Sequence, residues 1–101
     1  MLLQQAYYGL GYAQYNQKQY DRALNSFREF INKSNRQSTN YADGLLRLAD
    51  CHFIARNFDE ALSFYNRYKD AKGNDMDYAY LQAGLIYGMQ RNYEASRTQF
   101  T

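Results

Sequence analysis

At 101 residues, with 12 basic and 10 acidic side chains and a net charge of +2, the chain has room for one domain and no charge excess to grip a phosphate backbone. Its Lys and Arg are scattered from Lys18 to Arg97, which argues against nucleic acid as a partner, and no apolar run approaches the roughly 18 residues of a membrane span, which argues against direct membrane insertion. Met1-Leu2-Leu3 is too short for a signal peptide, and one cysteine rules out an internal disulfide while leaving cytoplasm, periplasm and cell envelope all open.

Apolar residues recur at spacings of three and four throughout, so every element reads as a helix and none as a strand. The first helix is expected over about Leu3 to Asn16, with Leu3, Tyr7, Leu10 and Gln14 on one face and Ala6 and Ala13 beside it. Gly11 costs about 1 kcal/mol against alanine in a helix interior, which calls for close approach by a partner helix. After a turn near Gln17 to Gln19 the second helix runs from about Tyr20 to Ile31, with Ala23, Phe27 and Phe30 at helical spacing. Polar residues from Asn32 to Asn40 form the longest connection and offer Ser38, Thr39 or Asn40 as the next N-cap. The third and fourth helices fall near Tyr41 to Ala55 and Phe58 to Ala71. Gly73 is placed to end the fourth, and Asn74 or Asp75 to cap the fifth, Met76 to Gln90. A sixth begins near Tyr93 and is cut short at Phe100-Thr101. The short connections after Ala55 and Gln90 make the flanking helices antiparallel neighbours.

These helices fall into a pattern that occurs three times. A small residue at Gly11, Ala49 and Gly84 stands nine positions before an aromatic at Tyr20, Phe58 and Tyr93. Each aromatic is followed by an acidic residue, then a small one, then a second aromatic: Asp21, Ala23, Phe27; Asp59, Ala61, Tyr65; Glu94, Ser96, Phe100. The spacings of 38 and 35 positions lie near the period of roughly 34 of a helix-turn-helix repeat. Such repeats bury their apolar faces on one another, so about three are needed for a stable stack. The repeats are expected at about 4–37, 41–74 and, incomplete, 76–101, and the chain reads as a fragment of a longer array.

Tyr7, Leu10, Gly11, Tyr20, Ala23 and Phe27, then Leu45, Leu48, Ala49, Phe58, Ala61 and Tyr65, then Tyr80, Ala83, Gly84, Tyr87, Tyr93, Ser96 and Phe100 resemble the pattern of the tetratricopeptide repeat family over nearly the whole chain. The resemblance implies an all-α superhelix of antiparallel helix pairs, about six helices here with the last truncated. The wording from Tyr41 to Leu62 and the 38-residue spacing are also similar to the bacterial cell-envelope branch of the family, which includes Tol-Pal-associated and outer-membrane assembly proteins. In the family the first helices line a concave surface. Carried over by position, its residues here are Tyr8, Tyr12 and Tyr15, then Asp43, Leu46, Asp50 and Phe53, then Tyr78, Leu81, Leu85 and Met89. That surface is apolar and aromatic with two carboxylates in its middle, suited to an amphipathic helix or an extended peptide. Family members that hold the acidic tail of a chaperone use Lys, Asn and Arg where this chain has Tyr8, Tyr12, Asp50, Leu81 and Leu85, and Asp50 would repel such a tail.

No catalytic or metal site emerges. Cys51 and His52 are adjacent on a helix and point about 100° apart, so they cannot share a proton. Asp43 and Asp50 lie seven apart on one helical face, and the other acidic residues cluster near helix ends, where the dipole favours them. Gly9 and Gly11 lie inside a helix rather than after a strand, which excludes a phosphate loop. The expected function is a non-catalytic scaffold, without cofactor or metal, that binds a peptide or helix of a partner protein on the concave face. The alternative is a structural spacer or homo-oligomer that stacks end to end through Tyr7-Tyr8 and Tyr93-Phe100.

Overall fold

The computed structural model describes residues 3–99, with side chains described through Arg91. Among them the chain forms five helices and no strand: α1 (Gln4–Asn16), α2 (Tyr20–Asn32), α3 (Tyr41–Ile54), α4 (Phe58–Asp70) and α5 (Met76–Gln99). Each helix packs on the next in sequence, α1 on α2, α2 on α3, α3 on α4 and α4 on α5. The stack measures 52 × 27 × 19 Å, and its radius of gyration of 14.9 Å exceeds the roughly 13 Å of a compact 100-residue domain.

The reversals inside the first two repeats use the same backbone device. At the end of α1, Lys18 adopts φ 63° and its N–H donates to the Tyr15 carbonyl at 2.9 Å, while the Gln19 N–H donates to Gln14 at 2.8 Å. At the end of α3, Arg56 adopts φ 64°, its N–H donates to Phe53 at 3.0 Å, and the Asn57 N–H donates to His52 at 2.8 Å. These paired bonds satisfy the last carbonyls of each helix and turn the chain back on itself. Both corner residues are cations beside a helix C-terminus, where the dipole favours positive charge. Tyr20 and Phe58 then start α2 and α4, at the positions expected for the first aromatic of each repeat.

Close packing of aromatic rings on glycine sets the distance between helices. A Cβ at Gly11 would stand 2.9 Å from the Phe27 ring, so the expected close approach of α2 to α1 is present. A Cβ at Gly44 would stand 2.6 Å from Phe30, which bridges α2 to α3. Behind these contacts Ala23, Phe27, Phe30, Leu45, Leu46, Leu48, Ala49, Ala61 and Tyr65 form a continuous buried core.

Several expectations are corrected. The inward face of α1 is carried by Tyr8, Gly11, Tyr12 and Tyr15, while Ala6, Leu10 and Ala13 are exposed, because α2 packs on the side of α1 that Gly11 opens to the Phe27 ring. Gly73 does not take the left-handed position after α4. Lys72 does, at φ 55°, and Gly73 instead leaves room for the Tyr68 ring, whose hydroxyl accepts the Asp75 N–H at 2.7 Å. Asn40 occupies the N-cap position of α3 with a left-handed backbone, φ 68°, and no side-chain capping bond. The break expected between Gln90 and Tyr93 is absent, since α5 runs unbroken to Gln99 and no sixth helix is formed among the described residues. The side chains of Tyr93 and Ser96, and Phe100, Thr101, Met1 and Leu2 altogether, lie outside the described residues.

The glycines separate into two experimental classes. Gly44→Ala forces Phe30 to shift and is expected to cost about 1–3 kcal/mol. Gly88→Ala meets open space in a helix interior and is expected to gain up to about 1 kcal/mol. Urea denaturation of both variants reads the opposite signs directly.

Candidate functional site

Each odd-numbered helix packs mainly on its even-numbered neighbours, and polar side chains reach across to link one odd-numbered helix to the next. On α3, Asp43, Arg47 and Asp50 fall at spacings of four and three, which puts all three on one helical face. The Arg47 Nη1 donates to Asp50 Oδ2 at 2.7 Å, and its Nε lies 3.8 Å from Asp43 and donates to the Tyr12 hydroxyl at 3.2 Å. From α1, the Tyr8 hydroxyl donates to Asp43 at 2.6 Å and the Tyr12 hydroxyl donates to the same carboxylate oxygen. From α4, the Tyr65 hydroxyl donates to Asp50 Oδ1 at 2.5 Å, and from α5 the Tyr78 hydroxyl donates to that atom at 2.9 Å. One network thus joins four helices.

Its titration behaviour follows from burial and charge. Asp50 is 2% exposed, and burial pushes its carboxyl above the usual range, although Tyr65, Tyr78 and Arg47 pull it back. Burial and the bond to Asp43 push the Tyr12 phenol up to about 12. Burial works against the Arg47 charge, but Asp50, Tyr12 and Asp43 outweigh it and hold the guanidinium protonated. Burial, Asp43 and Asp50 also raise Tyr8, Tyr65 and Tyr78. All these tyrosines are therefore neutral donors at physiological pH.

The residues expected to meet a ligand divide into four groups. Tyr8, Tyr12, Asp43 and Asp50 are brought into one network in which Asp50 is buried and fully engaged, while Asp43, bonded by both tyrosines, stays partly exposed. Tyr15 and Phe53 pack edge-on against Tyr20 and Phe58, with ring centroids 5.3 and 5.7 Å apart, and so brace the two equivalent corners. Leu46 is fully buried, which leaves it no surface for a ligand, because the side-by-side packing of the helices closes over the middle of α3. The open part of the set is on α5, where Tyr78, Leu81, Leu85 and Met89 are 36%, 60%, 48% and 41% exposed along one side of the helix.

Arg47 and Tyr65 belong to the network and were missing from the expected set. Arg47 could have been read from its i+4 and i−3 relation to Asp43 and Asp50. Tyr65 could not, because it matched a packing position of the repeat. A polar cleft of about 360 Å³ opens beside the network, between the α2–α3 and α4–α5 connections, lined by Arg36, Asn40, Asp43, Tyr68 and Lys72 among others.

Cys51 and His52 are both buried in the helix interfaces. Burial, with Asp50 nearby, pushes the Cys51 thiol up to about 12, so it stays protonated. The His52 ring stacks on Phe64, with centroids 5.5 Å apart and planes 4° from parallel. Among the described residues no three His, Cys, Asp or Glu gather closely enough to hold a metal, and no helix is long and apolar enough to cross a membrane.

A family model described as "Tetratricopeptide repeat" matches residues 8–77, a span that holds the whole Asp43–Arg47–Asp50 cluster. No curated protein matches the chain.

Two measurements test the site's energetics. Asp50→Ala leaves Arg47 without its closest anion and is expected to cost about 3 kcal/mol, while Tyr78→Phe is expected to cost about 1–2 kcal/mol and to speed amide exchange in α5 ahead of α2. Burial, partly opposed by Glu60 and then reinforced by Arg28, holds the His52 imidazole below its usual value. The unfolded chain thus takes up this proton near pH 6.5 and the folded chain resists it, so stability falls as pH drops below about 6.5. The urea midpoint should be lower at about pH 5 than at about pH 7.5, and His52→Phe should narrow that difference.

Proposed function

Because the chain belongs to the tetratricopeptide repeat family, whose repeats generally mediate protein–protein interaction, we propose that it is a non-catalytic scaffold binding a peptide or helix of a partner protein. The binding surface is the face shared by α1, α3 and α5. The observation that carries this reading is the exposed row Tyr78, Leu81, Leu85 and Met89, which continues the face that Tyr8 and Tyr12 edge on α1. Large apolar and aromatic side chains on a rigid element are the usual anchors of an interface. The hydrogen bonds from Tyr8, Tyr12 and Tyr78 fix those rings in place, so little side-chain entropy remains to be lost on binding.

The chemistry of the ligand follows from what the network leaves exposed. Asp43 and Asp50 share the single guanidinium of Arg47 and accept from tyrosine hydroxyls, so the surface offers a ligand mainly rings and aliphatic groups, with the partly exposed Asp43 carboxylate at its edge. An amphipathic helix presenting aliphatic residues at i, i+3, i+4 and i+7 suits it. The Tyr41 to Leu62 wording and the 38-residue spacing support placing the scaffold in the bacterial cell-envelope branch.

The test is a displayed library of amphipathic helical peptides, selected on the folded chain and measured by fluorescence polarisation. Tyr12→Ala and Leu85→Asp are each expected to weaken the selected peptides about tenfold, about 1.4 kcal/mol. Arg28→Glu and Arg67→Glu, on the second helices, are expected to leave affinity within about twofold. Equal losses in both groups would refute the shared-face reading.

A further inference from the structure

The third repeat carries the sequence of a helical hairpin without its fold. Arg91 stands seven positions after Gly84, as Lys18 stands seven after Gly11 and Arg56 seven after Ala49. Phe100 stands sixteen after Gly84, as Phe27 and Tyr65 stand sixteen after Gly11 and Ala49. Lys18 and Arg56 are left-handed and reverse the chain, whereas Arg91 lies within the unbroken helix α5.

The face that such a reversal covers is correspondingly bare. Gly11 is capped by the Phe27 ring and Ala49 is fully buried, but among the described residues nothing lies within 4 Å of a Cβ at Gly84. Leu45 and His52, which flank Ala49, are 1% and 9% exposed; their counterparts Tyr80 and Tyr87, which flank Gly84, are 58% and 55% exposed. A straight helix cannot cover this face with its own continuation, because Gln99 lies about 22 Å beyond Gly84 along the axis. The chain therefore carries an exposed receptor face and, by repeat register, the sequence that fits it, on one continuous helix that keeps them apart.

We infer that the face Tyr80–Gly84–Tyr87 is occupied by the segment 93–100 of a second copy of this chain, exchanged reciprocally. The two α5 helices then run antiparallel about a two-fold axis near Asn92, midway between Gly84 and Phe100, and each copy completes the other's third repeat. This exchange closes at two copies, unlike end-to-end stacking, which extends without limit. Arg91 is the hinge: a left-handed L-residue is strained, and the open form releases that strain by keeping Arg91 helical. Leu85 and Met89 lie about 100° and 140° around the helix from Gly84, so exchange leaves them accessible, while Leu81, only about 60° away, borders the exchanged segment.

Light scattering on a dilution series of the whole chain tests the proposal. A dimer of about twice 12.0 kDa that dissociates on dilution is expected. Gly84→Phe, which fills the bare face, is expected to abolish it with helicity retained in circular dichroism. Arg91→Gly, which makes the reversal easy, should weaken dimerisation at least about tenfold by letting each chain fold back on itself, while Arg91→Ala, which removes the charge but stays helical, should keep the dimer. A monomer at every concentration, assembly beyond two copies, or a dimer indifferent to both Gly84→Phe and Arg91→Gly would overturn it.

Discussion

A buried carboxylate organises this structure. Asp50 sits 2% exposed in the middle of α3, where an unpaired charge would be expelled or neutralised. It is held by Arg47 from its own helix, by Tyr65 from α4 and by Tyr78 from α5. Each of those donors fixes the position of the element that carries it. Asp43 repeats the arrangement about two helical turns away, with Tyr8 and Tyr12 of α1. Hydrophobic burial supplies most of the driving force for stacking, but it is non-directional. The two carboxylates supply the direction, because their hydrogen bonds are satisfied only when α1, α3 and α5 lie side by side.

The same network decides what kind of surface the protein shows. Two aspartates on an outer face would ordinarily attract a basic ligand. Here Asp50 is consumed internally and Asp43 is tied to two tyrosine hydroxyls, and no buried polar side-chain atom among the described residues lacks a partner. What remains outward is aromatic and aliphatic. The rings of Tyr8 and Tyr12 are half-buried, pack on each other and on Phe27, and are pinned at their hydroxyls. A surface built this way is stiff toward its core and apolar toward solvent, which is the combination that favours capture of an amphipathic segment with little cost of ordering.

The repeats differ in how much of each small-residue position is used. Gly11 permits ring-to-backbone contact with α2, and Ala49 lies wholly within the α3–α4 interface. Gly84 has the same place in the repeat and meets nothing among the described residues. The consequence is a gradient along the stack: α3 is buried on nearly all sides, while α5 is anchored along Ala79, Ala83 and Ile86 and open elsewhere. The open end is where both the exposed peptide-binding row and the unfilled hairpin face reside.

The all-helical character, the first four helices, the aromatic starts of α2 and α4 and the packing role of Gly11 were legible in the residues themselves. Periodicity and spacing are local properties that survive in any context consistent with them. The left-handed corners at Lys18 and Arg56 were legible as turns but not as backbone states, since neither residue type signals positive φ. At α4 the sequence offered Gly73 as the obvious stop, yet Lys72 turns, because Gly73 is needed under the Tyr68 ring. Candidate site residues were identified by position, and position alone could not tell an outward side chain from one closed over by neighbours. Only the tertiary structure buried Leu46, turned Asp43 and Asp50 into internal acceptors, recruited Arg47 and Tyr65, and kept Arg91 helical. Those outcomes depend on which helices lie alongside, and hydrogen bonds between residues some thirty positions apart leave no periodic trace in the chain.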